Sequence, residues 1–136
     1  MANYKIEDVE GIGPIRGEQL RAVGVNDTDS LLANTSTPIQ RKAMAEKSGI
    51  AESLILKFAN MVDLYRINGI GSEFSELLEE AGVDTVPELA RRNPANLVEA
   101  LAKVNLEKKS TRRTPSESEV IKWIEQAKDL PRVLEY

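Results

Sequence analysis

The 136-residue chain contains neither cysteine nor histidine. Without cysteine there are no disulfides and no thiol nucleophiles; without histidine as well, zinc sites of the usual kinds and the commonest general base are gone. Aromatic residues make up only 4%, too few to build a platform on which nucleobases stack. No apolar run approaches the roughly 20 residues that span a bilayer, and Met1 to Gly11 is too polar for a signal peptide, so a cytoplasmic protein with no membrane association is expected. Positive charge is in deficit too: 18 Lys and Arg against 22 Asp and Glu give a formal charge of -4. That balance favours solubility and weighs against a nucleic-acid binder that uses its whole surface, so local charge matters more than the total.

What the chain does have is a 41% hydrophobic content, enough to bury a core in one domain or in two small helical subdomains. Apolar and charged positions recur at helical spacing, and no convincing alternating segment is present, which predicts an all-α fold. Two short stretches organise it. Val9-Glu10-Gly11-Ile12-Gly13 precedes a short amphipathic segment ending at Gly24-Val25, and Ile67-Asn68-Gly69-Ile70-Gly71 precedes one ending at Gly82-Val83. Gly11 and Gly69, Gly13 and Gly71, Leu20 and Leu78, Gly24 and Gly82, and Leu31 and Leu89 each stand 58 positions apart by subtraction. A Gly-apolar-Gly turn that opens a helix reverses the chain tightly and leaves backbone N–H groups uncovered, because glycine tolerates positive φ and carries no side chain. The expected units are residues 1–65 and 66–136.

Along the chain, Tyr4 to Val9 predicts a very short helix. Pro14 suits the first position of the next, with Ile15, Leu20 and Val23 defining its buried face and Gly24 ending it. A helix centres on Leu31-Leu32. Thr37 with Gln40 forms a capping box for a helix that runs to about Ser48 and stops at Gly49. Leu54, Ile55, Phe58, Met61, Val62 and Tyr65 then make one apolar stripe, a principal core element that runs into the second glycine turn without a linker. In the second unit Phe74, Leu77, Leu78 and Ala81 face inward. Thr85 with Glu88 reads as a capping box, Asn93-Pro94 starts a helix, and Ser116 with Glu119 caps the last one. Phe58 and Trp123 occupy matching places as core rings. Lys108 to Pro115 reads as the mobile loop, and Arg132 to Tyr136 as a short tail after Pro131.

The stretches Gly11 to Gly17 and Gly69 to Ser75 resemble the helix-hairpin-helix motif. It has a Gly-apolar-Gly turn, a small residue four positions after the second glycine (Gly17, Ser75) and aliphatics in the second helix (Leu20, Leu77-Leu78). The layout from Tyr4 to Tyr136 also resembles the DUF4332 domain family, in which two such units recur. The resemblance implies two related helix-hairpin-helix units packed as one compact body, with no cofactor and no established activity. In DNA-binding members of the wider group, hairpin amides touch the sugar-phosphate backbone without reading bases. Carried onto this chain, the donors are Ile12, Gly13 and Ile15 in the first hairpin and Ile70, Gly71 and Glu73 in the second, Pro14 having no N–H.

Side chains separate the two hairpins. Arg16 and Arg21 flank the first, whereas Glu73, Glu76, Glu79 and Glu80 follow the second, with Arg66 its only nearby cation, so phosphate contact is expected at the first. Three readings stand for the glycine turns: contact with the DNA phosphate backbone, contact with a protein, or chain reversal alone. The protein alternative is an adaptor or homodimer that pairs the acidic face after Gly71 with the basic residues Lys103, Lys108, Lys109, Arg112 and Arg113 on an opposite face. An enzyme is not expected. Asp8 and Glu10, or Asp27 and Asp29, are read as turn and cap residues, and the glycine turns lack the strand of a dinucleotide fold and the Gly-Lys-Ser/Thr of a phosphate loop.

Overall fold

Helix α4, Glu52–Leu64, runs through the middle of the molecule, and the other elements divide about it. The computed structural model describes residues 3–136. A 3-10 turn at Ile6–Asp8 comes first, followed by α1 (Gly13–Arg21), α2 (Thr28–Ala33) and α3 (Pro38–Ser48). After α4 come α5 (Ser72–Glu80), α6 (Val86–Ala90), α7 (Pro94–Lys108) and α8 (Glu117–Asp129). Among the described residues the fold is all-α, and the one β feature is an isolated bridge between Lys5 and Asp27.

Local chemistry accounts for most boundaries. The Thr37–Gln40 and Ser116–Glu119 capping boxes form as expected, and Asp27 with Ser30 makes a third at α2. Gly49, at φ 79°, ends α3. Helix α6 departs from expectation, because the Thr85 side chain caps nothing. Its first amide, on Val86, donates instead to Asp63 Oδ2 at 2.9 Å, so a carboxylate from the end of α4 does the work assigned to Thr85.

The apolar side chains gather in two clusters. Ile6, Leu20, Leu31, Ile55, Phe58 and Met61 belong to the first, and Leu64, Leu78, Leu89, Leu101, Val120 and Trp123 to the second. Each fully buried side chain of this size contributes roughly 1.5–3 kcal/mol. Because α4 passes between the clusters, every residue from Phe58 to Ile67 is buried. The expected stripe is therefore a helix end covered on all sides, as for any helix lodged in a core. Asp63 and Arg66 are paired there: Arg66 Nε and Nη2 meet Asp63 Oδ1 at 3.0 and 2.8 Å, and Arg66 Nη1 donates to Pro131 O at 2.8 Å; the buried Tyr65 hydroxyl has no hydrogen-bond partner among the described residues.

Backbone hydrogen bonds repeat at the sequence interval of 58. Ile12 N–H donates to Val9 O at 3.0 Å, and Ile70 N–H to Ile67 O at 3.2 Å. Val25 N–H reaches Leu20 O at 2.9 Å, and Val83 N–H reaches Leu78 O at 2.8 Å. Gly11 and Gly69 both have positive φ, at 90° and 98°, and Gly24 and Gly82 are both at 89°.

The loop expected to be mobile is fastened, and so is the short tail. Asn105 holds Thr111 through both its amide oxygen (3.0 Å) and its amide nitrogen (3.2 Å), and Ser110 donates to Glu80, so the basic loop is tied to α7 and α5. The segment after α8 returns to the first half of the chain, with Leu134 buried.

Candidate functional site

In the first hairpin the buried Ile6, Val9 and Ile12 anchor the 3-10 turn, and the chain reverses through Gly11. A Cβ built on Gly11 would stand 3.4 Å from Phe58 Cε1, so the turn lies against the ring of α4. Gly13, at φ 66°, opens α1, with Pro14 next. First-turn amides have no intrahelical acceptor, and among the described residues the Gly13 and Ile15 amides have no partner outside α1 either. Ile12 must be removed from the expected donors, since its N–H is spent on Val9 O. Ile15 is also corrected: its side chain, expected inside, is 77% exposed.

The two expected arginines differ in state. Arg16 is exposed and donates from Nη1 to Gly11 O at 3.1 Å, which parks the guanidinium beside the turn. Among the described residues no carboxylate lies within ion-pair distance of it. Arg21 is held by Glu7, with Nε and Nη2 each 2.7 Å from a carboxylate oxygen. That contact foremost, with a backbone hydrogen bond second, holds the Glu7 carboxyl down at about 2. The Glu7 side chain crosses Gly17 so closely that a Cβ there would lie 2.6 Å from Cγ, which is why this position is small.

The second hairpin is pinned. Asn68 exchanges hydrogen bonds with Gln126 of α8, its N–H to Oε1 at 2.8 Å and Nε2 to its carbonyl at 3.3 Å. A Cβ on Gly69 would lie 2.9 Å from Trp123 Nε1. Ile70, like Ile12, is lost as a donor because its N–H bonds Ile67 O. Gly71 is extended at φ -113°, unlike Gly13, so the two turns present their amides differently. Glu10 N–H donates to Ser72 Oγ at 2.8 Å, which joins the first turn to the start of α5.

That join concentrates negative charge. Glu76 is pushed above the usual carboxylate range by burial first, then by Glu10 and Glu80, with Lys57 opposing. Arg66, the cation expected near this hairpin, is buried in its pair with Asp63. The cation that does reach α5 is Arg113, whose guanidinium lies 5.3 Å from the Phe74 ring centroid while it grips Glu119 at 2.7 and 3.0 Å. The sequence places Arg113 in the expected mobile loop, and Glu119 six residues on was the available signal. Arg113 and Ser110 of the basic stretch thus touch α5, at Phe74 and Glu80.

Beside the first hairpin a groove of about 330 Å³ runs between α1 and the α3–α4 junction, lined by Ile15, Arg16, Gln19, Ile50, Ala51 and Leu54 among others. Among the described residues no group of three or more acidic residues is placed to hold a metal ion, and no helix is long and apolar enough to cross a membrane.

These features define an all-α, multi-helix protein with glycine-turned helix starts at its surface. The chain belongs to the DUF4332 family, a domain of unknown function, whose model matches residues 10–130. No curated protein and no solved structure matches it.

Proposed function

We propose that the chain is a non-catalytic tandem helix-hairpin-helix module of the cytoplasm, with units over residues 1–65 and 66–136, that contacts the phosphate backbone of duplex DNA weakly and without sequence preference through its first hairpin. The hydrogen bonds repeated at an interval of 58, and the aromatic ring set against the first glycine of each turn, support the tandem architecture. One observation carries the binding: the Arg16 guanidinium, with no carboxylate partner among the described residues, is held against Gly11 O beside Gly13 and Ile15 amides that have no partner among them either. A cation next to helix-start N–H groups favours phosphate. Arg21, neutralised by Glu7, contributes little, and the turn at Gly71 is followed by Glu73, Glu76, Glu79 and Glu80.

The test is fluorescence anisotropy with a labelled duplex at about 20 and about 150 mM salt, since phosphate contact weakens as salt rises. Binding is expected at the lower salt only. Arg16→Glu abolishes it and Arg21→Gln leaves most of it. Absence of binding at low salt, or an Arg16→Glu variant that binds normally, refutes the proposal. A second reading, docking of a protein partner, is favoured by the exposed Ile15 at the mouth of the apolar groove; binding of that kind persists at high salt.

A further inference from the structure

The segment after α8 leaves the second half at Leu130 in extended backbone, φ -91° and ψ 138°, and finishes against the first half. Glu135 is held through its backbone on both sides: its N–H donates to Ser36 O at 2.8 Å, and its carbonyl accepts from Arg41 Nη2 at 2.6 Å. The Tyr136 hydroxyl donates to Asn60 Oδ1 at 2.7 Å, and the Arg41 guanidinium lies 5.5 Å from its ring centroid. Between the two ends, Leu134 is 2% exposed yet belongs to neither apolar cluster.

The receiving groups have their own supports. Arg41 is anchored by Thr35 O at 2.9 Å, and Asn60 is set by α4, so neither depends on the segment for its place. Main-chain bonds for an extended segment, a buried aliphatic residue, and an aromatic hydroxyl two positions on are the elements of a peptide-recognition surface. We infer that the surface formed by the α2–α3 turn, Arg41 and Asn60 is a binding site for an extended peptide of that pattern. Leu134 fills it in cis, with the 62% exposed Tyr136 fastened at its rim through the hydroxyl, and the chain alternates between a seated and a released segment. This site is separate from the first hairpin and does not depend on phosphate binding there.

A dye-labelled peptide with the sequence of residues 131–136 is the probe, and the full chain is the receptor. In a full-chain Leu134→Ala, Tyr136→Ala variant the resident segment loses both anchors, and the peptide binds saturably. The unaltered chain binds it at least about tenfold more weakly, because apparent affinity falls with the fraction of sites standing open. Adding Arg41→Ala to the variant removes binding while the helical circular dichroism is kept. Equal binding to both chains, no binding to the folded variant, or indifference to Arg41→Ala overturns the inference. Hydrogen exchange on the unaltered chain tests it should the variant not fold. The Glu135 amide is expected to exchange at least about tenfold faster than that of Val83, since release of the segment is a local opening. Equal protection of the two amides means the segment leaves only on global unfolding, and overturns the inference as well.

Discussion

The indole of Trp123 stands over Gly69, where a built Cβ would lie 2.9 Å from Nε1. Gly69 also has φ 98°, so two separate constraints, backbone hand and ring contact, select glycine. Gly24 has nearly the same backbone, φ 89°, but nothing within 4 Å of its built Cβ. Gly24→Ala should therefore cost only the left-handed penalty of about 1–2 kcal/mol. Gly69→Ala should cost roughly 2–5 kcal/mol, with displacement of the ring added. Urea unfolding read by circular dichroism measures both, and equal costs would show that the indole yields freely.

Phe58 plays the corresponding part in the first half, 1% exposed and in contact distance of Gly11. Removing its ring leaves a cavity among the first cluster, and Phe58→Ala should cost about 3–5 kcal/mol. Thermal and urea unfolding are the measurements, and a loss under about 1 kcal/mol would mean that the ring is not a core element.

Helix positions and the glycine interval were readable in the sequence because each rests on neighbours a few residues away: Thr37 with Gln40, Ser116 with Glu119, Pro14 after Gly13. What was not readable depends on residues far apart in the chain. Asp63 caps α6 from 23 positions upstream, and nothing near Thr85 announces it. Glu135 reaches Arg41 across 94 positions, so a segment that reads as a short tail is fastened. The expected site suffered in the same way. Arg16 and Arg21 look equivalent in sequence, but Glu7, folded back over Gly17, neutralises only Arg21. Ile12 and Ile70 were misjudged because a tight turn consumes the amide of its closing residue, here on Val9 O and Ile67 O.

Asp63 and Arg66 are both buried and paired with one another, and between them they bond Val86 N–H and Pro131 O. Asp63→Ala leaves a guanidinium uncompensated in the interior and should cost about 3–5 kcal/mol. Adding Arg66→Met should return part of that loss, since an apolar chain of similar length carries no charge to strand. What remains reports the Val86 amide left without an acceptor, about 1–3 kcal/mol. A double variant less stable than Asp63→Ala alone would mean that Arg66 contributes mainly through its bond to Pro131 O. Urea denaturation of the three variants decides between these outcomes.

Acid should weaken the fold through two surface pairs. The Glu7 and Glu119 carboxyls both lie at about 2 against an ordinary 4.5, foremost because Arg21 and Arg113 hydrogen-bond their charged forms. A folded-state value below the unfolded one gives a contribution that is complete above about 4.5 and lost as pH falls towards 2. Both side chains are solvent-facing, so screening keeps the effect modest. Glu76 has the opposite sign: its raised carboxyl pKa, due first to burial, makes ionisation oppose folding. Its favourable contribution is present below the ordinary value and disappears as pH rises through the shifted one. The urea midpoint should thus fall between about pH 4.5 and 2, and Arg21→Gln with Arg113→Gln should flatten that fall. Glu76→Gln should raise the midpoint at neutral pH and leave it nearly unchanged below the ordinary carboxylate range. An unaltered acid slope in the double arginine variant would show that the two pairs contribute nothing measurable, and a lower neutral midpoint in Glu76→Gln would show that the Glu76 charge is used rather than tolerated.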